Sequence, residues 1–142
     1  MQMSSTVQEL YQALIVERSK APRFSGRPEV FDAQGRGENA MCGDRVQVFW
    51  QRGGVVRHEA HGCAILTASA DLMAQAVAGK SPAQVAAMRG AFEEVVTSGR
   101  ENPALGDLNA LAGVAQYRAR IRCATLPWAA LAEALKEGQV HG

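Results

Sequence analysis

The sequence lacks several features that would place it in a large class of proteins. No apolar run approaches the roughly 20 residues that span a membrane, and the N-terminus has neither a basic leader nor an apolar signal core, which argues against secretion. The 15 basic residues nearly balance the 14 acidic ones, which is unlike a protein that binds nucleic acid by electrostatics. We therefore expect a cytoplasmic protein that binds neither membranes nor nucleic acids.

Familiar catalytic and metal-binding motifs are also missing. No Ser/His/Asp order and no pair of carboxylates stands out, so nothing supports a hydrolase. The Cys-x-x-Cys pairs of zinc fingers and ribbons do not occur. The 142 residues contain no repeat and no low-complexity tract, and they are enough for one domain over 1–142 with its own hydrophobic core.

The sequence has only three cysteines, and their settings are its most informative feature. An odd number fits poorly with a disulfide framework, and the cytoplasm keeps thiols reduced. Cys42 precedes a predicted strand, Cys63 opens a predicted helix, and Cys123 lies ahead of the last helical segment. Isolated cysteines are usually buried and inert, but these settings suit a reactive or metal-binding thiol better.

Residue periodicity predicts an α+β fold in which a small antiparallel sheet of about three strands packs against several helices. Alternating residues predict strands over 45–51 and 55–60 around a Gly53-Gly54 turn. The stretch from Lys20 to Glu38 is predicted to be a long loop with a short extended piece at Val30-Phe31. The predicted helices are one capped near Ser4, Ser5 or Thr6, one from Cys63 to about Gly79, one from Ser81 to about Thr97, a short one over 108–113, and a last one ending near Gly138.

Asp44 is a candidate fourth ligand beside the three thiols. It follows Cys42 by two residues, so both side chains point to one face of an extended chain. Three thiolates and a carboxylate satisfy the tetrahedral geometry of Zn²⁺, and the hard carboxylate would exchange most easily. Alternatively, Asp44 only caps a turn after Gly43, and the residues leave both interpretations open. His61, two residues from Cys63, is a weaker candidate ligand.

Three motifs in order resemble the U-type iron–sulfur cluster assembly proteins, the IscU, SufU and NifU N-terminal family. The family patterns are Asn-Pro-x-Cys-Gly-Asp, then Gly-x-Gly-Cys-x-Ile with an Ala-Ser helix, then a basic residue followed by Cys-Ala-x-Leu and Trp. The resemblance covers about residues 5–137, and the chain departs from it at Ala40 and Ala60, which replace a proline and a glycine. The matching residues are Asn39, Cys42, Gly43 and Asp44; Gly62, Cys63, Ile65, Ala68 and Ser69; and Arg122, Cys123, Ala124, Leu126 and Trp128.

Two traits are similar to the SufU branch of this family. Arg122 stands where the IscU branch carries histidine, and a polar stretch over 99–107 lengthens the interval between the last two cysteines. The resemblance implies a SufE/NifU-like fold with a zinc site formed by Cys42, Asp44, Cys63 and Cys123. It also implies sulfur uptake from a pyridoxal-phosphate cysteine desulfurase like SufS. In the IscU branch it would imply a scaffold for a [2Fe–2S] cluster.

The leading hypothesis is therefore a zinc-dependent sulfurtransferase that serves downstream iron–sulfur assembly proteins. We expect Cys42 to accept the sulfur, because a glycine-flanked loop over 35–43 would let it leave the metal, and Cys123 is the competing candidate. Arg122 is expected to offset the negative charge of the site without binding the metal. The alternatives are a non-enzymatic [2Fe–2S] scaffold and a structural zinc domain.

Overall fold

The computed structural model describes the backbone of residues 2–141 and the side chains of residues 7–138. It confirms an α+β fold built from one antiparallel sheet, four α-helices and one 3₁₀ segment. The elements are α1 Gln2–Lys20, β1 Ala33–Asn39, β2 Asp44–Gln51, β3 Val55–His61, α2 Ala64–Ala76, α3 Pro82–Ser98, the 3₁₀ segment Pro103–Gln116 and α4 Arg118–His141. Ser4, Ser5 and Thr6 fall within α1, and their side chains lie outside the described residues. None of the described helices has the length and apolar character needed to cross a membrane.

The sheet has the order β1-β2-β3, and both neighbouring pairs are antiparallel. Alternate residues of β2 face the helices, and there Val46 and Val48 are buried. The other face carries Phe49, which is covered by Phe31 at 5.0 Å between ring centroids. Asp44 shares the parity of Val46 and Val48. It therefore lies on the inner, helix-covered face at the end of the sheet.

Strand β1 corrects the predicted loop over Lys20 to Glu38. The third strand lies at Ala33–Asn39, not at Val30-Phe31. Its sequence, AQGRGEN, has no β-branched residue and two glycines, so it carries no strand signal. The glycines serve close packing, since a Cβ on Gly35 would lie 1.8 Å from the Ala130 carbonyl oxygen of α4. A Cβ on Gly37 would lie 2.9 Å from Leu126 Cγ.

The predicted helices over the middle of the chain are confirmed. Cys63 is the N-cap residue of α2, and α3 begins with a capping box in which Ser81 and Gln84 bond each other's backbone N–H groups. The predicted short helix over 108–113 is part of the longer 3₁₀ segment, which is interrupted at Gly106.

Helix α4 starts earlier than the sequence pattern indicated. It begins at Arg118, so Cys123 lies inside the helix and not ahead of it. Pro127 also lies inside α4, where it lacks the N–H that would otherwise bond the carbonyl of Cys123. Helix α4 therefore continues through Pro127 with one backbone hydrogen bond missing, although prolines usually mark the start or end of a helix.

The hydrophobic core lies between the sheet and the helices, with α2 at its centre. The ring of Phe92 in α3 stacks on that of Trp128 in α4 with centroids 5.3 Å apart. Helix α4 also packs along β1 and β2, which fixes the position of Cys123 relative to the turn between these strands. The largest apolar side chains that are almost fully buried are Val48, Phe49, Leu66, Leu72, Met73, Phe92, Leu108, Leu111, Trp128 and Leu131.

Candidate metal centre

The fold brings the four predicted ligands together at one end of the sheet. Donor atoms of Cys42, Asp44 and Cys123 all lie within 4.8 Å of one another. The Cys63 sulfur joins them, 3.9 Å from Asp44 Oδ2. The four residues come from the β1–β2 turn, the start of β2, the start of α2 and the first half of α4. We call this group of four residues the thiol cluster.

Cys42 is the exposed member of the thiol cluster. It lies in a tight turn, where its N–H donates to the Asn39 carbonyl at 3.2 Å. Gly43 completes the turn with a φ of 69°, a conformation that favours glycine. The expected flexible loop over 35–43 is wrong for 35–39, which belong to β1. The freedom of Cys42 is therefore that of a four-residue turn and not of a long loop.

Asp44 is buried, with 2% of its surface exposed. Its Oδ1 accepts a hydrogen bond from the Cys63 N–H at 3.1 Å, while Oδ2 faces the Cys63 sulfur. The carboxylate thus binds the start of α2 and not a turn after Gly43. A Cβ on Gly62 would lie 2.1 Å from Oδ1, so glycine is required for this close approach.

Among the described side chains, no basic group forms an ion pair with Asp44. The basic nitrogens there that lie within 4.0 Å of a carboxylate belong to Arg18, Arg23, His58 and Arg89, and none of these pairs involves Asp44. A buried carboxylate without a counter-charge is costly.

The other two thiols occupy different environments. Cys63 is half-buried at the N-terminus of α2, where its N–H donates to Asp44 Oδ1. Cys123 is fully buried. Burial, with Asp44 and Cys63 beside it, raises the pKa of the Cys123 thiol. In the absence of a cation, this sulfur therefore favours its protonated form.

The arginine nearest these sulfurs is Arg120 and not Arg122. The guanidinium of Arg120 lies beside Cys123 and Cys63, and the acceptor sulfurs and negative charge of these two thiols raise its pKa. Arg120 precedes Cys123 by three residues, a spacing that places both on one face of a helix. Sequence reasoning missed Arg120 because it placed Cys123 outside the helix. Arg122 is exposed.

His61 lies on the wrong face of the sheet to replace Asp44. The register pairs His61 with Arg45, and Arg45 alternates with Asp44, so His61 faces the outer side of the sheet. It is exposed at the end of β3. The structure therefore does not bring this weaker candidate ligand into the thiol cluster.

A second buried carboxylate, Asp71 in α2, was missed by sequence reasoning. Arg18 Nε lies 2.5 Å from Asp71 Oδ2, and His58 Nε2 lies 2.9 Å from Oδ1. The backbone N–H groups of Arg23 and Phe24 donate to the same carboxylate at 2.9 and 2.8 Å. We call Arg18, His58 and Asp71 the Asp71 cluster. In the sequence, the only indication of this cluster was Arg18, a charged residue on the apolar face of α1.

Fold and thiol cluster together define a small α+β domain with three thiols and a carboxylate at one end of its sheet. The chain belongs to the NifU-like N-terminal domain family, whose model matches residues 10–124. This confirms the family that the three cysteine motifs indicated.

Two curated relatives and one solved structure illustrate the likeness. The chain is 38% identical to the iron–sulfur cluster assembly scaffold protein IscU of Streptococcus pyogenes serotype M1, over 93% of this chain and 86% of that protein. It is 34% identical to the zinc-dependent sulfurtransferase SufU of Bacillus subtilis strain 168, over 92% of each. A nitrogen-fixing NifU-like protein (N-terminal) from Brucella abortus shares the fold, with a TM-score of 0.81, 24% identity, and coverage of 96% of this chain and 99% of that one.

Proposed function

We propose that this chain is an iron–sulfur cluster assembly protein that acts as a zinc-dependent sulfurtransferase. The observation that carries the proposal is a buried Asp44 among three thiols, with no basic group within 4.0 Å of its carboxylate among the described side chains. A divalent metal ion would supply the positive charge that this carboxylate lacks and would hold the thiols as thiolates. The name of the S. pyogenes relative supports iron–sulfur cluster assembly, and the name of the B. subtilis relative supports a zinc-dependent sulfurtransferase.

The donor set of the thiol cluster fits zinc. Three sulfurs and one oxygen are sufficient for a closed tetrahedral site. When bound, Zn²⁺ supplies the charge that keeps thiols deprotonated, and it does so without redox chemistry. Within this site Asp44 holds the start of α2 through Oδ1 and offers Oδ2 as the ligand. Arg120 offsets the remaining negative charge from outside the site.

Cys42 is the sulfur acceptor in this proposal because it is the exposed thiol. Its thiolate attacks the terminal sulfur of a persulfide on a pyridoxal-phosphate cysteine desulfurase. A new sulfur–sulfur bond forms on Cys42 as the persulfide bond of the donor breaks, and the electron pair leaves with the donor thiolate. No atom or electron is left over, and the transferred sulfur is then available to a downstream assembly protein.

Mass spectrometry after incubation with a cysteine desulfurase and cysteine tests the acceptor. We expect one added sulfur on Cys42, and none on the protein after Cys42→Ser, which should still fold because the side chain lies on an exposed turn. Sulfur on Cys123 without passage through Cys42 would refute the assignment. Absence of added sulfur from all three cysteines would favour a structural zinc domain.

Metal content of the single alanine variants tests the shared site. Cys63→Ala and Cys123→Ala should each lose stoichiometric zinc, and full retention in either variant contradicts a common centre. Arg120→Ala should weaken zinc retention without removing a ligand. Arg122→Ala is its matched control, two residues away on another face of α4, and should retain zinc better.

The second candidate function is a non-enzymatic scaffold for a [2Fe–2S] cluster on the same four residues. The name of the S. pyogenes relative favours it, and iron and zinc both accept thiolate ligands. Protein purified without oxygen separates the two candidates, because a cluster absorbs visible light and bound zinc does not. Visible absorbance with stoichiometric iron and sulfide would favour the scaffold.

A further inference from the structure

The first five residues of α4 carry an unusual concentration of positive charge next to the thiol cluster. Arg118, Arg120 and Arg122 are all exposed and lie within five residues of sequence. No acidic residue occurs between Asp107 and Glu133. The whole chain has a formal net charge of only +1, so this local excess is not a reflection of a basic protein.

None of these arginines has an acidic partner within the described part of the chain. The ion pairs found there involve other cations and other elements. Positive side chains at the start of a helix also oppose its dipole, which favours acidic residues there. The three arginines therefore do not help α4 to form, and the charges of Arg118 and Arg122 are available to another molecule.

Two exposed residues of types common in binding surfaces flank the segments that carry Cys42 and Cys123. Tyr117 is 63% exposed immediately before α4, and Met41 is 96% exposed next to Cys42. The donor atoms of Cys42 and Cys123 lie within 4.8 Å of each other, so both segments border the same thiols. Tyrosine, arginine and methionine are the residue types enriched in protein interfaces.

We propose that Met41, Tyr117, Arg118 and Arg122 form a docking surface, the basic rim, for an acidic surface of the protein that exchanges sulfur with Cys42. This inference rests on the proposed function and adds the chemistry of the partner. The occupant is a folded protein that presents carboxylates around its sulfur-bearing group. Charge complementarity favours it, because opposite charges raise the association rate and exclude wrong partners. Arg120 is left out of the rim because it contacts the thiols.

The test is binding of the zinc-loaded protein to a cysteine desulfurase, followed by calorimetry at about 50 mM and about 300 mM salt. The variant Arg118→Glu/Arg122→Glu should bind at least about tenfold more weakly at low salt. The difference should shrink at high salt, since exposed charges are screened. Its zinc content should equal that of the wild type, because neither arginine belongs to the thiol cluster.

The matched control is Arg52→Glu/Lys136→Glu, which changes the net charge equally. Arg52 lies in the turn at the opposite end of β2, and Lys136 lies near the far end of α4; both are exposed. This control should bind as the wild type does. Equal binding by both double variants, with sulfur still reaching Cys42, would overturn the basic rim and leave the proposed function intact.

Two further outcomes are decisive. A wild-type protein that neither binds the desulfurase nor accepts sulfur would overturn the proposed function and the rim together. Equal weakening in both double variants would also overturn the rim, since net charge alone would then explain the loss. Replacement of arginine by glutamate should favour the start of α4, so a folded, zinc-loaded variant is expected.

Discussion

The two buried carboxylates of this protein, Asp71 and Asp44, differ in what surrounds them. Asp71 lies in the interior with a guanidinium, an imidazole and two backbone N–H groups directed at its oxygens. Asp44 receives one backbone N–H and otherwise faces sulfur. The fold supplies hydrogen-bond donors and positive charge to Asp71, whereas it surrounds Asp44 with three cysteine sulfurs.

This difference separates a structural charge from one that awaits a cation. The Asp71 cluster joins α1, β3 and the segment after α1, because Arg18, His58 and the N–H groups of Arg23 and Phe24 meet at one carboxylate. The thiol cluster joins β2, α2 and α4 only loosely through Asp44. Removal of Asp71 should therefore destabilise the fold. Removal of Asp44 should weaken metal binding and leave the stability of the fold nearly unchanged.

Asp71→Asn should have the largest effect on stability. It leaves Arg18 buried without a counter-charge, and breaking a buried ion pair in this way costs about 3–5 kcal/mol. Urea denaturation of the metal-free protein measures the loss. Glu17→Gln is the control, because it removes an exposed pair with Arg23 and should cost less than about 1 kcal/mol. A loss of similar size in both variants would remove the distinction on which the comparison rests.

The pH dependence of the stability of Asp71→Asn, compared with wild type, tests the same buried ion pair. Burial raises the pKa of Asp71, but hydrogen bonds from His58, Arg18 and two backbone N–H groups outweigh it and hold the pKa well below its usual range. Because the folded pKa is depressed, the stabilisation is complete above the unfolded pKa of about 4 and is lost as pH falls below it. The stability difference between wild type and Asp71→Asn should therefore shrink between about pH 5 and about pH 2. A constant difference over that range, measured in chelator, would contradict this assignment.

Asp44→Ala should show the opposite pattern. In the metal-free protein it removes an uncompensated charge along with one hydrogen bond to Cys63, so stability should change by less than about 1 kcal/mol. Zinc affinity should fall at least about tenfold, though less than in Cys63→Ala or Cys123→Ala. Zinc titration with and without His61→Ala added to Asp44→Ala should give the same affinity, because His61 faces the other side of the sheet. A further loss in that double variant would show that His61 takes the vacant position.

Two glycine substitutions provide the smallest and most local test. Gly62→Ala places a methyl group 2.1 Å from Asp44 Oδ1, so the carboxylate must shift and zinc affinity should drop although no ligand is removed. Gly90→Ala in α3 meets nothing within 4 Å and should raise stability by about 0.5–1 kcal/mol. Thermal unfolding and zinc titration of both variants separate an effect on the site from an effect on the fold. Unchanged zinc affinity in Gly62→Ala would show that the position of Asp44 is not critical.

The elements that the sequence predicted well are those with strong local signals. The hairpin around Gly53-Gly54 and the capping box of α3 each follow from a few neighbouring residues. The four members of the thiol cluster were predicted from short motifs, because motifs of that kind identify residues without requiring their positions in space. Such motifs do not encode which metal these residues would hold, since zinc and iron share thiolate ligands.

The features that the sequence could not predict depend on contacts between distant segments. Strand β1 exists because Gly35 and Gly37 allow α4 to pack against it, and nothing in its own residues indicates a strand. The position of Arg120 beside the thiols could be inferred only after Cys123 was found to lie within α4. The partners of Asp71 come from α1, β3 and the segment between α1 and β1, so no local pattern connects them.

The close packing of α4 on β1 has a consequence for the order of folding. Strand β1 lacks local preference, and its docking helix is nearly at the other end of the chain, so this contact has a high loop-closure cost and should form late. Cys42 and Cys123 approach each other only after it has formed. The hairpin of β2 and β3 with α2 brings Asp44 and Cys63 together first, so a nascent chain presents two donors before it presents four. In the proposed function, tight metal binding would therefore follow the docking of α4, and the metal ion would join segments that folding has already brought together.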